Sequence, residues 1–192
     1  FVRSTLNKAS FAFPSGKNGS FANNKYFACL LPNGKLNLLN LNKGSIEVID
    51  DVDSYSFLSS GDYLAITIKK DRSNQLLIKK TEGKMVETFY NVVAYSSSHG
   101  KNKMVLSTKR DTLSSVTLLC FEKKYKKTIV AMATACTFQN LTWQQNDNAI
   151  AFLKEASNTA SAKNELLFYS LKTKKTYSFI EKGENTFPSN RN

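Results

Sequence analysis

The feature that most constrains this chain is that it repeats itself. Four segments share one pattern, a turn followed by an apolar run: NNKYFACLL (Asn23 to Leu31), SGDYLAITI (Ser60 to Ile68), GKNKMVLST (Gly100 to Thr108) and QNDNAIAFL (Gln145 to Leu153). Aligning them makes Tyr26, Tyr63, Met104 and Ala149 equivalent, with spacings of 37, 41 and 45 residues. Each is followed by a second run (LNLLNL, QLLIKK, VTLLCF, ELLFYSL) and a third (SIEVID, MVETFY, KTIVAM, KTYSFI). A further run precedes the later repeats: DSYSFL, VAYSSS and FQNLTW. The runs are short, rich in β-branched and aromatic residues, and bounded by Gly, Asn, Asp, Ser and Lys, which is the signature of strands and turns. No segment holds a helical spacing for three turns.

Four short strands every 37 to 45 residues is the period of a β-propeller blade. The expectation is therefore an all-β chain of about four blades of four antiparallel strands, forming part of a larger propeller. The blades fall at about residues 21–50, 53–90, 93–132 and 138–180. Residues 1–20 form an N-terminal segment able to supply a first or closing strand, and 181–192 a tail or the start of a further blade.

The turns carry the second signal. Pro32-Asn33-Gly34-Lys35 places Asn-Gly between two strands, where both residues tolerate positive φ. The last turn of each blade is rich in lysine. Equivalent turns of a propeller lie on one face, so Lys79, Lys80, Lys84, Lys123, Lys124, Lys126, Lys127, Lys172, Lys174 and Lys175 are expected on one rim, as a candidate partner contact. The loops between the second and third strands of each blade, Pro32–Gly34, Lys70–Asn74, Lys109–Ser115 and Glu155–Asn164, are expected to lengthen along the opposite face.

Composition excludes much chemistry. The formal charge is +12, from 27 basic and 15 acidic residues; 23 of the basic residues are Lys and four are Arg. A single histidine, His99, rules out any multi-histidine metal cluster and leaves one imidazole for the whole chain. His99 follows Ser96-Ser97-Ser98, which invites a nucleophile–base pair, but its place between two strands reads as a turn. Asp50, Asp51 and Asp53 lack the spacing and distal Glu of a calcium loop and read as an acidic turn. Cys29, Cys120 and Cys136 form no CxxC; the first two sit in apolar runs as buried thiols. Asn18-Gly19-Ser20 and Asn140-Leu141-Thr142 match the short glycosylation pattern, and Trp143 reads as core. No catalytic, cofactor-binding or metal-binding residue is assigned, and no cofactor is expected. The longest apolar stretches fall far short of the roughly 18 residues of a membrane helix.

DSYSFLSSGDYLAITI (Asp53 to Ile68) resembles the repeated SFSPDGKYLAF unit of the propeller in the prolyl oligopeptidase family, above all in its bacterial members. QNLTWQQNDNAIAFLKE (Gln139 to Glu155), followed by ELLFYSLKTKKTYSF (Glu165 to Phe179), is similar to a later blade of the same kind. The resemblance spans about residues 20–180. It implies a serine peptidase in which a propeller covers an α/β-hydrolase domain and filters substrate by size, and it implies export from the cytoplasm. In that family the nucleophile sits on a Gly-x-Ser-x-Gly elbow of the hydrolase domain. This sequence has none, since Ser15 to Ser20 has the wrong spacing, so no catalytic residue carries over.

Two functions follow as expectations. The first is a non-catalytic propeller region that gates or shapes substrate access in a serine hydrolase, with the hydrolase domain as its partner. The second is a free-standing propeller that binds or assembles protein or peptide partners. Nucleic acid fits less well, because base readout and stacking favour the arginine that is scarce here.

Overall fold

The computed structural model describes residues 1–3, 10–70, 73–122, 124–157 and 164–180. Apart from one 3-10 turn at Ser59–Gly61, every regular element among them is a β-strand. A short pair, β1 (Val2–Arg3) and β2 (Ser10–Phe11), precedes four antiparallel meanders. The first holds β3 (Lys17–Ala22), β4 (Tyr26–Leu30), β5 (Leu36–Asn40) and β6 (Ile46–Ile49). The second holds β7 (Val52–Leu58), β8 (Tyr63–Lys70), β9 (Ser73–Lys80) and β10 (Met85–Phe89). The third holds β11 (Val92–Ser97), β12 (Lys103–Arg110), β13 (Leu113–Cys120) and β14 (Lys126–Thr134). The fourth holds β15 (Cys136–Trp143), β16 (Ala149–Ala156), β17 (Glu165–Ser170) and β18 (Lys175–Ile180). The chain is all-β, built of four propeller blades in sequence order. They fall into two compact units, Phe1–Tyr90 and Asn91–Asn192.

The first unit is held by alternate residues of strands that are apolar on both faces. On one face of blade one, Tyr26, Ala28, Leu36 and Leu38 pack against Val52, Phe57, Leu64, Ile66 and Leu77 of blade two. On its other face Phe27, Cys29 and Leu39 pack against Val2, with Phe11 and Phe13 beside them, so the N-terminal segment closes that side. Polar ties fix the offset between the blades. Tyr55 donates its hydroxyl to the Ala28 carbonyl at 2.7 Å, and the Val52 N–H donates to the Gly34 carbonyl at 2.8 Å.

The second unit repeats the plan. Val105, Val116 and Leu118 of blade three pack against Cys136, Phe138, Leu141, Trp143, Ile150, Phe152, Leu167 and Tyr169 of blade four. Phe138 and Phe152 meet edge to face, with ring centroids 5.7 Å apart. Trp143 sits in this core as expected, and its indole N–H donates to the Ser96 carbonyl at 3.0 Å. Ser114 donates to the Cys136 carbonyl at 2.6 Å, and the Lys109 ammonium donates to Thr137 at 3.0 Å.

The repeat register differs from the sequence alignment at one place. In every blade the residue after the third strand donates its N–H to the carbonyl of the residue before the second. The pairs are Leu41 to Lys25, Thr81 to Asp62, Phe121 to Asn102 and Leu171 to Asn148, at 2.8 to 3.0 Å. The equivalent of Tyr26, Tyr63 and Ala149 is therefore Lys103, the first residue of β12, and not Met104. A lysine at that position breaks the apolar run by one residue, and alignment by hydrophobicity slips accordingly. The first blade also begins earlier than residue 21, because its first strand, KNGSFA, is polar and almost wholly exposed. The expected lengthening does not reach blade three, and most of Glu155–Asn164 lies outside the described residues. Strands β12 and β13 take up all of Lys109–Ser115 except Asp111 and Thr112. At Asn33-Gly34 only Gly34 is left-handed, at φ 76°. The Gly34 N–H bonds the Leu31 carbonyl, making a type I turn closed by a left-handed glycine.

One glycine is required by contact as well as conformation. Gly61, buried at φ 101°, would place a Cβ 2.4 Å from the Ala22 Cβ across the blade interface. Gly61→Ala is expected to destabilise the first unit by about 2 to 4 kcal/mol, combining left-handed strain with overpacking. Gly83→Ala, at φ 113° in open space, should cost only the strain, about 1 to 2 kcal/mol. Urea unfolding of both, and of Gly61→Ala combined with Ala22→Gly, checks this: the double variant should recover the overpacking share.

Candidate partner-contact face

In each blade one end of the sheet carries two turns, between the first and second strands and between the third and fourth; the other end carries the middle turn. The double-turn end of the second unit is formed by residues 98–102, 121–122 and 124–125 of blade three and 144–148 and 171–174 of blade four. These turns are stitched together. Asp147 accepts the backbone N–H groups of His99 at 2.8 Å and Gly100 at 2.9 Å, and pairs with His99 Nδ1 at 2.9 Å. Within blade three, Asn102 donates to Glu122 at 3.1 Å, and Lys103 reaches the same carboxylate at 3.1 Å. The first unit has a counterpart, in which Asn23 donates to Asp62 at 3.2 Å between its two blades.

On this frame the structure places the sequence-predicted lysines. Lys124, Lys126, Lys127, Lys172, Lys174 and Lys175 are all exposed at the double-turn end of the second unit. Lys101 joins them in the turn between β11 and β12; lysine counting confined to the last turn of each blade passed over it. Lys80 and Lys84 are exposed at the corresponding end of the first unit, and Lys123 lies outside the described residues.

Lys79 is a correction. It is 3% exposed, and its ammonium lies 2.7 and 2.8 Å from the two Glu47 oxygens of blade one. A strand turns successive side chains to opposite faces. Lys79 therefore shares the face of Leu77, which packs on blade one, while Lys80 points to solvent. Lys79 is thus part of the blade junction and not of an exposed rim. The nearby Lys43–Glu82 pair, at 2.9 Å, is exposed on both sides and contributes little.

The remaining candidates are structural. His99 has Asp147 beside it but no free hydroxyl nucleophile in its own turn. Ser98 is buried, donating to Asn102 at 3.3 Å and accepting the Lys103 N–H at 3.2 Å. Burial by itself would push the Asp147 carboxyl up. The two backbone N–H donors, the His99 ring bond and the His99 charge outweigh it and hold the group down at about 2. Burial pushes the Cys29, Cys120 and Cys136 thiols up, so none is an activated nucleophile. Asp50, Asp51 and Asp53 are exposed between β6 and β7, and Lys35 lies 3.4 Å from Asp50. Among the described residues no three His, Cys, Asp or Glu side chains gather as a metal site. No helix among them is long and apolar enough to cross a membrane. Asn18 and Asn140 are exposed.

No protein-family model matches the sequence, and no curated protein matches it. Solved structures do resemble it. A eukaryotic initiation factor superposes with a TM-score of 0.50 at 16% identity, over 95% of this chain and 50% of that one. The β-propeller domain of the Trilobed protease from Pyrococcus furiosus gives 0.46 at 15% identity, over 81% and 55%. A β-propeller domain from Myceliophteria thermophila gives 0.48 at 10% identity, over 86% and 55%. The chain spans about half the length of these structures, and at such identities the likeness concerns the fold alone.

Asp147 gives a pH-dependent prediction. A carboxyl held below its unfolded value contributes stability that is present above about pH 4 and lost as pH falls toward 2. Asp147→Ala should destabilise the second unit by about 1 to 3 kcal/mol at neutral pH, through two lost charge-assisted backbone bonds. Asp147→Asn should lack the corresponding part of the acid slope. Thermal unfolding of wild type and both variants between pH 7 and about 2 checks the sign.

Proposed function

We propose that this chain is a non-catalytic β-propeller region that restricts and shapes access to the active site of a serine hydrolase resembling the prolyl oligopeptidases. The observation that carries the reading is the place of the family-like motif. Asp53–Ile68 forms β7, the 3-10 turn and β8, the paired first and second strands of a blade, with buried Gly61 seated against blade one. The residue types that would serve catalysis are committed to construction here. His99 and Asp147 join blade three to blade four, and Ser98 closes its own turn. Such a region contributes loops and walls while the nucleophile belongs elsewhere.

A second reading, a propeller that binds or assembles protein partners, is favoured by the exposed lysines at the double-turn end of the second unit. The two separate on the full open reading frame. Expressed whole and treated with a fluorophosphonate probe, a hydrolase should be labelled at one serine outside residues 1–192. It should also cleave short peptides while leaving folded proteins intact. Absence of labelling in a folded, full-length product overturns the first reading and leaves the second.

A further inference from the structure

We infer that the double-turn end of the second unit docks a carboxylate-rich polypeptide segment of a partner protein. The inference is independent of the hydrolase reading, because it concerns a surface and not a reaction.

Charge is segregated along the unit. Its double-turn end exposes the lysines of three turns, while the carboxylates there, Glu122 and Asp147, are already engaged by Asn102, Lys103 and the His99 turn. Among the described residues the opposite end carries both signs: Lys109, Arg110 and Lys154 stand with Asp111, Glu155 and Glu165, and Lys154 and Glu165 pair at 2.9 Å. A solvated surface needs only scattered charge of both signs. An end where lysines are in excess and the carboxylates are already engaged raises the local concentration of an oppositely charged partner.

Backbone conformation gives a second observation. Among the described non-glycine residues with positive φ, all but three are Ser, Asn or Asp, whose short polar side chains suit that region. Two of the three are Lys101 at φ 53° and Lys174 at φ 56°, both at this end; the third is Ala135. Lys174 occupies the place that Gly44, at φ 68°, fills in blade one, since each closes its turn by donating to the residue four positions earlier, Ser170 and Asn40, at 2.8 Å. Glycine would relax the turn, yet the chain carries a cation there.

The chemistry selects the partner. Among the described residues no arginine stands at this end to supply the planar fork that grips phosphates and guanine. Tyr125, the aromatic among the lysines, is half-buried against Phe121, with ring centroids 5.9 Å apart, and offers no open stacking face. Lysine ammonium groups are hydrated point charges suited to separate carboxylates. Packed sheets lie about 10 Å apart and an extended chain rises about 3.3 Å per residue, so about three residues carry a peptide from the Lys124–Lys127 turn to the Lys172–Lys175 turn.

The test titrates a fluorescein-labelled oligoglutamate of about twelve residues, long enough to span both turns, into the protein at roughly 0.1 M salt. Lys124→Gln, Lys126→Gln and Lys127→Gln together should weaken binding by about tenfold or more. The charge-matched control, Lys17→Gln, Lys35→Gln and Arg110→Gln, should change it by less than about twofold. The Lys→Arg triple at the same three turn positions should retain binding, and Lys172→Gln, Lys174→Gln and Lys175→Gln provide a second loss variant should the first fold poorly. Absence of wild-type binding, or equal weakening by the control, overturns the proposal. Tighter binding of duplex DNA with the same variant dependence also overturns it, in favour of a nucleic-acid surface.

Discussion

The structure depends on one constraint: a four-stranded meander of this sequence has no dry face of its own. The central strands read as near-continuous apolar runs, FACL in β4 and MVL in β12, so side chains on both faces require cover. A lone sheet buries neither. Face-to-face packing with a neighbouring blade buries one side of each, at about 25 cal/mol per Å² of apolar surface removed from water. That is why the hydrophobic clusters are shared between blades and not confined to single sheets. It also gives the N-terminal pair its work, since Val2, Phe11 and Phe13 cover the face of blade one that blade two does not reach. Blade four shows the same two-sided pattern. Leu166 lies opposite Phe179 and Phe168 opposite Tyr177, on the face turned away from blade three.

Apolar contact is non-directional, so it leaves the sliding offset between blades undetermined. Directional bonds supply it. Tyr55 to the Ala28 carbonyl, Trp143 to the Ser96 carbonyl and the Asp147 carboxylate to two backbone N–H groups each tie a side chain of one blade to the backbone of the preceding one. Lys79 and Glu47 act likewise, with the ammonium buried and the carboxylate half exposed. Breaking such a pair leaves a buried charge alone, a larger penalty than the pair's own net contribution.

The architecture was legible because strand period and turn residues agree in every blade, and agreement across levels is what a repeat records. What sequence reading misplaced was short and polar. The strand KNGSFA has no apolar alternation, so it reads as a loop; it is a strand because it pairs with the apolar β4 and not because of its own pattern. The shift from Met104 to Lys103 arose because hydrophobicity aligns side chains, whereas the structure aligns the backbone bond from Phe121 to Asn102. For the candidate face, sequence gave the lysines but not their orientation. Lys79 and Lys80 are adjacent letters on opposite faces of one strand, and only knowing which face Leu77 covers decides between them. Asp147 was invisible as a junction because its partners, the His99 and Gly100 amides, lie 48 and 47 residues away.

The two units allow a comparison that neither allows alone. Both use the same meander and the same backbone tie beside the second strand, so the fold makes the same demands on their double-turn ends. In the first unit those turns mix signs, with Asn23 bonded to Asp62 and Lys43 to Glu82. In the second the same turns carry Lys101, Lys124, Lys172 and Lys174 beside the engaged Glu122 and Asp147, and two of those lysines hold left-handed conformations that glycine adopts more easily. A scaffold that folds with Gly44 in one blade has no need of Lys174 in another. The lysines of the second unit are an addition to what the blades require, and an addition of one sign at one end is a property directed outward, toward whatever meets that surface.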